Sequence, residues 1–471
     1  MNFVFAAVFL LLAAYPLVGT VASVWLLVGS QLVLLLGEIH RKQVTGAGAF
    51  IFMSFLFFGV RPVYMLLEKD YTLFTRLFQM RVGLNEITDG LWWASAALVC
   101  FALGAAIFPR LHIRWLRRRR ALNNAESLRP LVSQKVCAAL LAFQVTTLPV
   151  MFYLARGGRS LYGSAFGAYV YDLPMPLQAV HIITVVVLFE GFLRRKTLGT
   201  VMVLSVSVVL FLMFTWLMRD VTLFRGFYVA GVMIAGIAVL QRLQGRVGYA
   251  WLILPIVVLQ PFFQYLGQTR GAENERIAEE GMVNSVFEER TLGEAYWKFY
   301  DSDGDMNIFD TFVAAKETEP AYKPYAWSWL YVPLHFVPRA LWQGKPKQGI
   351  TMDMTFTRGA PYSPGIAGMF LRDGGLLWML LSMFMLGYLL SWLDWYVLTM
   401  PRGYVQYCLI GIVTVNAMFL TRFFLWQYFY QMLYAMIPIV ALAWWFGRSA
   451  KLNAGSARNQ RRSIRGVVAT D

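Results

Sequence analysis

The sequence predicts an all-α polytopic membrane protein of about twelve transmembrane helices with one large outward loop. Three observations carry that prediction. Hydrophobic residues make up 58% of the 471 positions and charged residues only 14%, whereas soluble domains carry about 25% charged residues. Uncharged stretches such as Val136–Ala155, Thr197–Leu217 and Leu376–Leu393 recur along the chain, and roughly 20 apolar residues are what a helix needs to cross the hydrocarbon core. Inside lipid the backbone must satisfy its own hydrogen bonds. The alternating segments of about ten residues that mark a membrane barrel are not seen.

Taken in order, residues 1–37 hold no charge. As one helix they would run to about 55 Å at about 1.5 Å per residue, so Pro16 and Gly19 divide them into two spans. "MNFVFAAVFL" has no basic residue ahead of its apolar run, unlike a cleaved signal peptide, and the first span is expected to be retained. The twelve expected spans are 3–18, 20–37, 47–67, 90–108, 135–155, 176–192, 198–218, 226–240, 249–266, 374–396, 404–420 and 428–447. Spans one to nine thus fill 1–266, with outward loops at 68–89, 156–175 and 219–225. The large loop takes 267–373, spans ten to twelve take 374–447, and 448–471 form a basic cytoplasmic tail.

Charge sets the expected orientation, because short cytoplasmic loops are enriched in Lys and Arg. Placing both termini in the cytoplasm puts "EIHRKQVTG", the Arg117–Arg120 run, "LRRKT", "QRLQGRVG", "MPRG" and the tail on that side. Most acidic residues then fall outward. The same placement accounts for the net charge of +16 through membrane topology, with no nucleic-acid partner needed. Cys100, Cys137 and Cys408 sit in apolar runs and read as core residues. His40, His112, His181 and His335 have no ligand spacing, and no metal or other cofactor is expected.

Several arginines contradict the general pattern, since short outward loops usually avoid them. "RDVTLFRG" at 219–226 is expected to face outward, as are Arg156, Arg159, Arg219, Arg225, Arg339, Arg358, Arg372 and Arg422. A guanidinium is always charged and its planar fork fits phosphate oxygens. One such residue snorkels or pairs locally; eight at one membrane face point to a common anionic ligand. No Gly-rich nucleotide cradle is present, since "GAGAF" lacks the required Lys. Lipid phosphates and lipid-linked pyrophosphates are the phosphates at that depth, so membrane lipids are expected partners.

The segment 271–320 is polar, acidic and helix-compatible, and "YKPYAWSWLYVPLHFVPRALW" that follows is aromatic. A loop this long is functional or partly folded. Its aromatic residues, Trp327 and Trp342 among them, line the interface or stack on sugars. "DSDGD" at 301–305 begins like a calcium loop, but Phe312 stands where the bidentate Glu belongs, which leaves a solvated acidic turn.

At "LHFVPRALWQGKPKQGI", residues 334–350, the chain resembles the Wzy-type oligosaccharide repeat-unit polymerases of bacterial envelopes. The residues that carry the resemblance are Pro338, Arg339, Trp342, Lys345 and Pro346, with the many spans and the late outward loop as shared architecture. Arg156 with Gly167 and Arg270 with Gly281 also match a spacing seen in such families, as does Arg225 with Gly236, which runs into a span; Arg358 misses it by one. The resemblance implies a GT-C-like, metal-independent glycosyltransferase in the inner membrane, making O-antigen or exopolysaccharide. It would polymerise undecaprenyl-pyrophosphate-linked oligosaccharides at the periplasmic face, alongside a chain-length regulator and a flippase. The arginines would stabilise the departing pyrophosphate, and His335, Asp220, Asp353 or Asp373 would take the acceptor's proton. A ligase of similar topology is one alternative. A lipid-linked oligosaccharide flippase or transporter is another, although no repeated halves are visible.

Overall fold

The computed structural model describes residues 18–39, 44–69, 72–75, 78–118, 134–161, 174–221, 226–244, 308–317, 327–335, 337, 342, 364–421 and 425–444, a few single positions excepted. The chain divides into two compact units. One comprises residues 1–113, 246–395 and 416–430, the other 114–245, 396–415 and 431–471. The architecture is α-helical, and seven described helices are long and apolar enough to cross a membrane, with two shorter apolar helices beside them. The expected spans 3–18 and 249–266 lie outside the described residues.

The first unit begins with α1 (Thr20–Ile39) and α2 (Gly46–Phe55), a π-helical turn (Leu56–Val60) and α3 (Arg61–Glu68). Thr45 caps α2 by accepting from the Gly48 N–H at 3.1 Å. Asp394 accepts from the N–H groups of Gly46 at 2.6 Å and Ala47 at 2.9 Å. A distant carboxylate thus fills the positive end of α2, whose first N–H groups have no partner within the helix. The π turn has a local cause: Pro62 has no N–H to offer the carbonyl four residues back, at Phe58. Lys69 then ends α3 in the left-handed conformation, at φ 55°. A short hairpin, β1 (Thr72–Thr75) and β2 (Phe78–Arg81), pairs Thr72 with Arg81 and Thr75 with Phe78. This short hairpin lies within the expected 68–89 loop and leaves the architecture α-helical.

Helix α4 (Leu84–Leu111) packs against α1 and α2. Gln31 on α1 donates from Nε2 to Ser95 Oγ on α4 at 2.9 Å, both residues being buried. Helices α9 (Ile308–Glu317), α10 (Trp327–His335) and α11 (Gly365–Leu398) complete the described part of this unit, together with the start of a helix over 425–442 that we call α13. Glycines bring α4 and α11 together backbone to backbone. A methyl added at Gly104 would collide with the Phe384 carbonyl, and one at Gly387 with the Phe101 carbonyl. Small residues at such crossings are how membrane helices gain close van der Waals contact.

Helix α11 is broken. Gly375 has φ 77° and ψ −170°, a conformation open to glycine and costly for any residue with a Cβ. The expected span 374–396 corresponds to the arm after the break. The arm before it, residues 365–373, was expected in the large loop but is helical and buried.

The second unit holds α5 (Gln134–Leu161), α6 (Pro174–Arg195), α7 (Leu198–Val221) and α8 (Gly226–Gln244). Helix α7 packs on α5 and α6, and α8 on α6. Met151, Leu154, Phe214 and Met218 form an apolar cluster between α5 and α7. Polar pairs cross the same interior. Ser207 Oγ donates to Gln144 Oε1 at 2.8 Å. His181 Nε2 lies 2.8 Å from Thr147 Oγ1 and its ring stacks on Phe214 at 4.2 Å. At the helix ends Glu190 accepts from both Arg194 and Arg242. Part of α12 (Tyr404–Leu420) belongs here too, where Gly411 approaches the Ile234 backbone.

Candidate functional site

The strongest electrostatic feature of the first unit is a buried ion pair that joins distant parts of the sequence. Arg61 Nε donates to Asp310 Oδ1 at 3.1 Å and Nη2 to Oδ2 at 2.9 Å, with side chains 2% and 0% exposed. This two-pronged geometry is the one a guanidinium and a carboxylate share best. Its local origin is readable. Arg61 follows directly on the π turn. Asp310 sits in α9, whose Ile308, Phe309, Phe312 and Val313 make an apolar stripe at helical spacing and are all buried. Phe58 of the π turn meets Phe312 edge to face at 5.5 Å. At the far end of α9, Lys316 lies 3.6 Å from Asp89 and over the ring of Trp93. Helix α9 is therefore seated in the helical body by two charged contacts and an apolar face, within the segment expected to be helix-compatible and partly folded.

The second feature lies where α10 meets α11. Asp373, the last residue but one before Gly375, accepts from the Ser328 N–H at 2.8 Å. Its carboxylate thereby occupies the positive end of α10, and it is buried. Trp329 stacks on Phe370 at 5.8 Å with rings 2° from parallel, which fixes α10 along the first arm of α11. At the other end of α10, the His335 ring lies on Trp426 of α13 at 4.2 Å and meets Tyr430 edge-on at 4.8 Å. Arg372, next to Asp373, is buried as well.

The structure places the expected site residues unevenly. His335, Arg372 and Asp373 fall within this α10–α11–α13 assembly. Trp327 begins α10, but its side chain lies outside the described residues. Trp342 is described and is 37% exposed. Arg156 and Arg159 lie in the last turns of α5, and Arg219 and Asp220 in the last turn of α7, with backbones described and side chains not. Arg225, Arg339, Asp353, Arg358 and Arg422 lie outside the described residues, as does "DSDGD". Of the eight arginines, Arg372 is the one with a described side chain, so a convergence of all eight is not among the described features.

Three participants escaped the sequence reading. Arg61 interrupts the apolar run "FLFFGVRPVYMLL", and an ionisable residue inside a span is itself a signal of function. Trp426 and Tyr430, which hold His335, follow Arg422 in an aromatic stretch that carried no distinguishing spacing. Comparison with protein-family models, with curated proteins and with solved structures finds no match for this chain.

Proposed function

We propose that this chain is an inner-membrane glycosyltransferase of the repeat-unit polymerase type, joining undecaprenyl-pyrophosphate-linked oligosaccharides at the periplasmic face. In this reading twelve spans form a GT-C-like body with both termini in the cytoplasm, and the outward arginines receive the lipid pyrophosphate. The observation that carries it is the α10–α11 junction. There the aromatic segment of the late loop is tied by Asp373 beside the buried Arg372, with His335 held between the rings of Trp426 and Tyr430. A cation, a ring nitrogen and stacked aromatics in one assembly match the needs of the reaction. The departing pyrophosphate gains negative charge, which a preorganised guanidinium stabilises. The acceptor hydroxyl loses a proton, which an imidazole or carboxylate takes. The sugar has aromatic faces to lie against.

The test is to incubate the purified full-length chain with a lipid-pyrophosphate oligosaccharide and resolve the products on a gel. A ladder of repeat units is the expected result, and Arg372→Ala is expected to slow its formation by about 100- to 1,000-fold. A folded protein that makes no ladder, or one that only moves the labelled lipid across sealed vesicles, would overturn the reading. Transfer of a single oligosaccharide to a different lipid acceptor would make the chain a ligase.

A further inference from the structure

A small cavity lies within the first unit, bordered in part by the first arm of α11. Its wall includes Gln31 of α1, Ser54 of α2, Ala97 of α4, Ile366 and Met383 of α11, and Thr421. It offers about 10 Å³ to the centre of a water molecule, which is room for about one water. Its lining is mostly apolar, but three polar side chains, Gln31, Ser54 and Thr421, reach it, and two to four polar partners are what a buried water needs.

The hydrogen bonds define what the occupant must be. Gln31 is 1% exposed. Its Nε2 is committed to Ser95, while its Oε1 has no hydrogen-bond partner. Exchanging the two ends of the amide would leave the nitrogen unpartnered in place of the oxygen, so one polar atom lacks a partner either way. Thr421 gives its hydroxyl proton to the Met418 carbonyl at 2.7 Å, and its oxygen keeps lone pairs to share. Ser54 adds a hydroxyl that can donate or accept. In a chain that spans a membrane, an unmet amide at this depth has no bulk water to turn to.

We propose that this cavity is a binding site for a single ordered water. The water donates to Gln31 Oε1 and to Thr421 Oγ1 and accepts from Ser54, completing a polar layer that runs from Ser95 through Gln31 to the π turn. Three partners is the usual complement of a buried water. Gly59 belongs to the same arrangement. A methyl there would come 2.8 Å from Gln31 Oε1, so the glycine of the π turn leaves the amide its place. The proposal is independent of the glycosyltransferase reading, since neither substrate nor arginines take part in it.

X-ray radiolytic labelling of the full chain in lipid nanodiscs tests the idea, because hydroxyl radicals born from a bound water oxidise the side chains beside it. Met383 lines the cavity, and Met379, equally buried one turn away, serves as the internal control. Met383 is expected to oxidise several-fold faster than Met379 in the wild type, and at the Met379 rate in Gln31→Leu. Equal rates in the wild type would overturn the proposal. So would fast Met383 oxidation that persists in Gln31→Leu, which would indicate leakage from bulk solvent. If Gln31→Leu does not fold, Ser54→Ala takes its place with the same two outcomes.

Discussion

Arg61 and Asp310 are 249 positions apart in sequence and share two hydrogen bonds. Removing one partner strands the other as a buried charge, and that is what makes such pairs sensitive. Asp310→Ala is expected to cost about 3–5 kcal/mol, read as a lowered unfolding midpoint in detergent. The joint change Arg61→Met with Asp310→Leu is expected to recover most of that loss, because it removes both charges and keeps the volume. A double variant as unstable as Asp310→Ala would show that the pair does more than balance charge. At the N-terminus of α2, Asp394→Ala is expected to cost about 1 kcal/mol through the loss of two N–H contacts, visible as faster hydrogen exchange at Gly46 and Ala47. Residue identity was partly legible here. Arg61 stands out in its apolar run, but nothing local names Asp310 as its partner, because the pairing is made by tertiary packing. The same holds for Asp373. Its position at the membrane edge was readable, while its bond to Ser328 depends on where α10 lies.

Among the elements, the long apolar helices were the most legible, since the uncharged runs that predicted α5, α7 and the second arm of α11 are the helices themselves. Helix α9 lies in a stretch whose composition is compatible with a helix, but its burial was not legible: the acidic residues from 273 to 305 dominate that segment, and the stripe Ile308, Phe309, Phe312 and Val313 is only one helix long. The first arm of α11 was missed because "GIAGMFLRD" is short and flanked by glycine and proline, which read as turn signals. The π turn is a further case: Pro62 marked a disturbance without specifying a widened turn over a broken helix. The break at Gly375 makes a direct prediction. Gly375→Val places a β-branched residue at φ 77° and is expected to cost about 1–3 kcal/mol. The space around Gly375 is open, with no atom within 4 Å of an added Cβ, so the cost comes from the backbone and not from a clash. Gly375→Asn is expected to lose a similar amount in the same unfolding measurement, because positive φ with ψ near 180° is essentially a glycine-only region.

For the whole molecule, the charge alternation is the most informative property of the sequence. Contacts in the first unit agree with it pairwise. Gly46 and Ala47 meet Asp394 and His112 meets Tyr388 at 2.8 Å, joining the three ends of α2, α4 and α11 that the alternation assigns to the cytoplasm. Arg61 meets Asp310 and Asp89 meets Lys316, all assigned outward. Which end faces which compartment is a matter for experiment. With the three cysteines replaced, a single cysteine at Thr222 is expected to react with a membrane-impermeant maleimide added outside. One at Thr197 is expected to react only after the membrane is opened. The reverse pattern would turn the arginines of 219–226 to the cytoplasm and remove them from any periplasmic site. The glycine crossing of α4 and α11 has a mechanical consequence. With Gly104 and Gly387 letting the two backbones touch, no lipid tail or side chain separates them, and the later arm of α11 is welded to its neighbour. Gly375 is then the bend that sets the direction in which the short arm carrying Arg372 and Asp373 leaves that fixed contact.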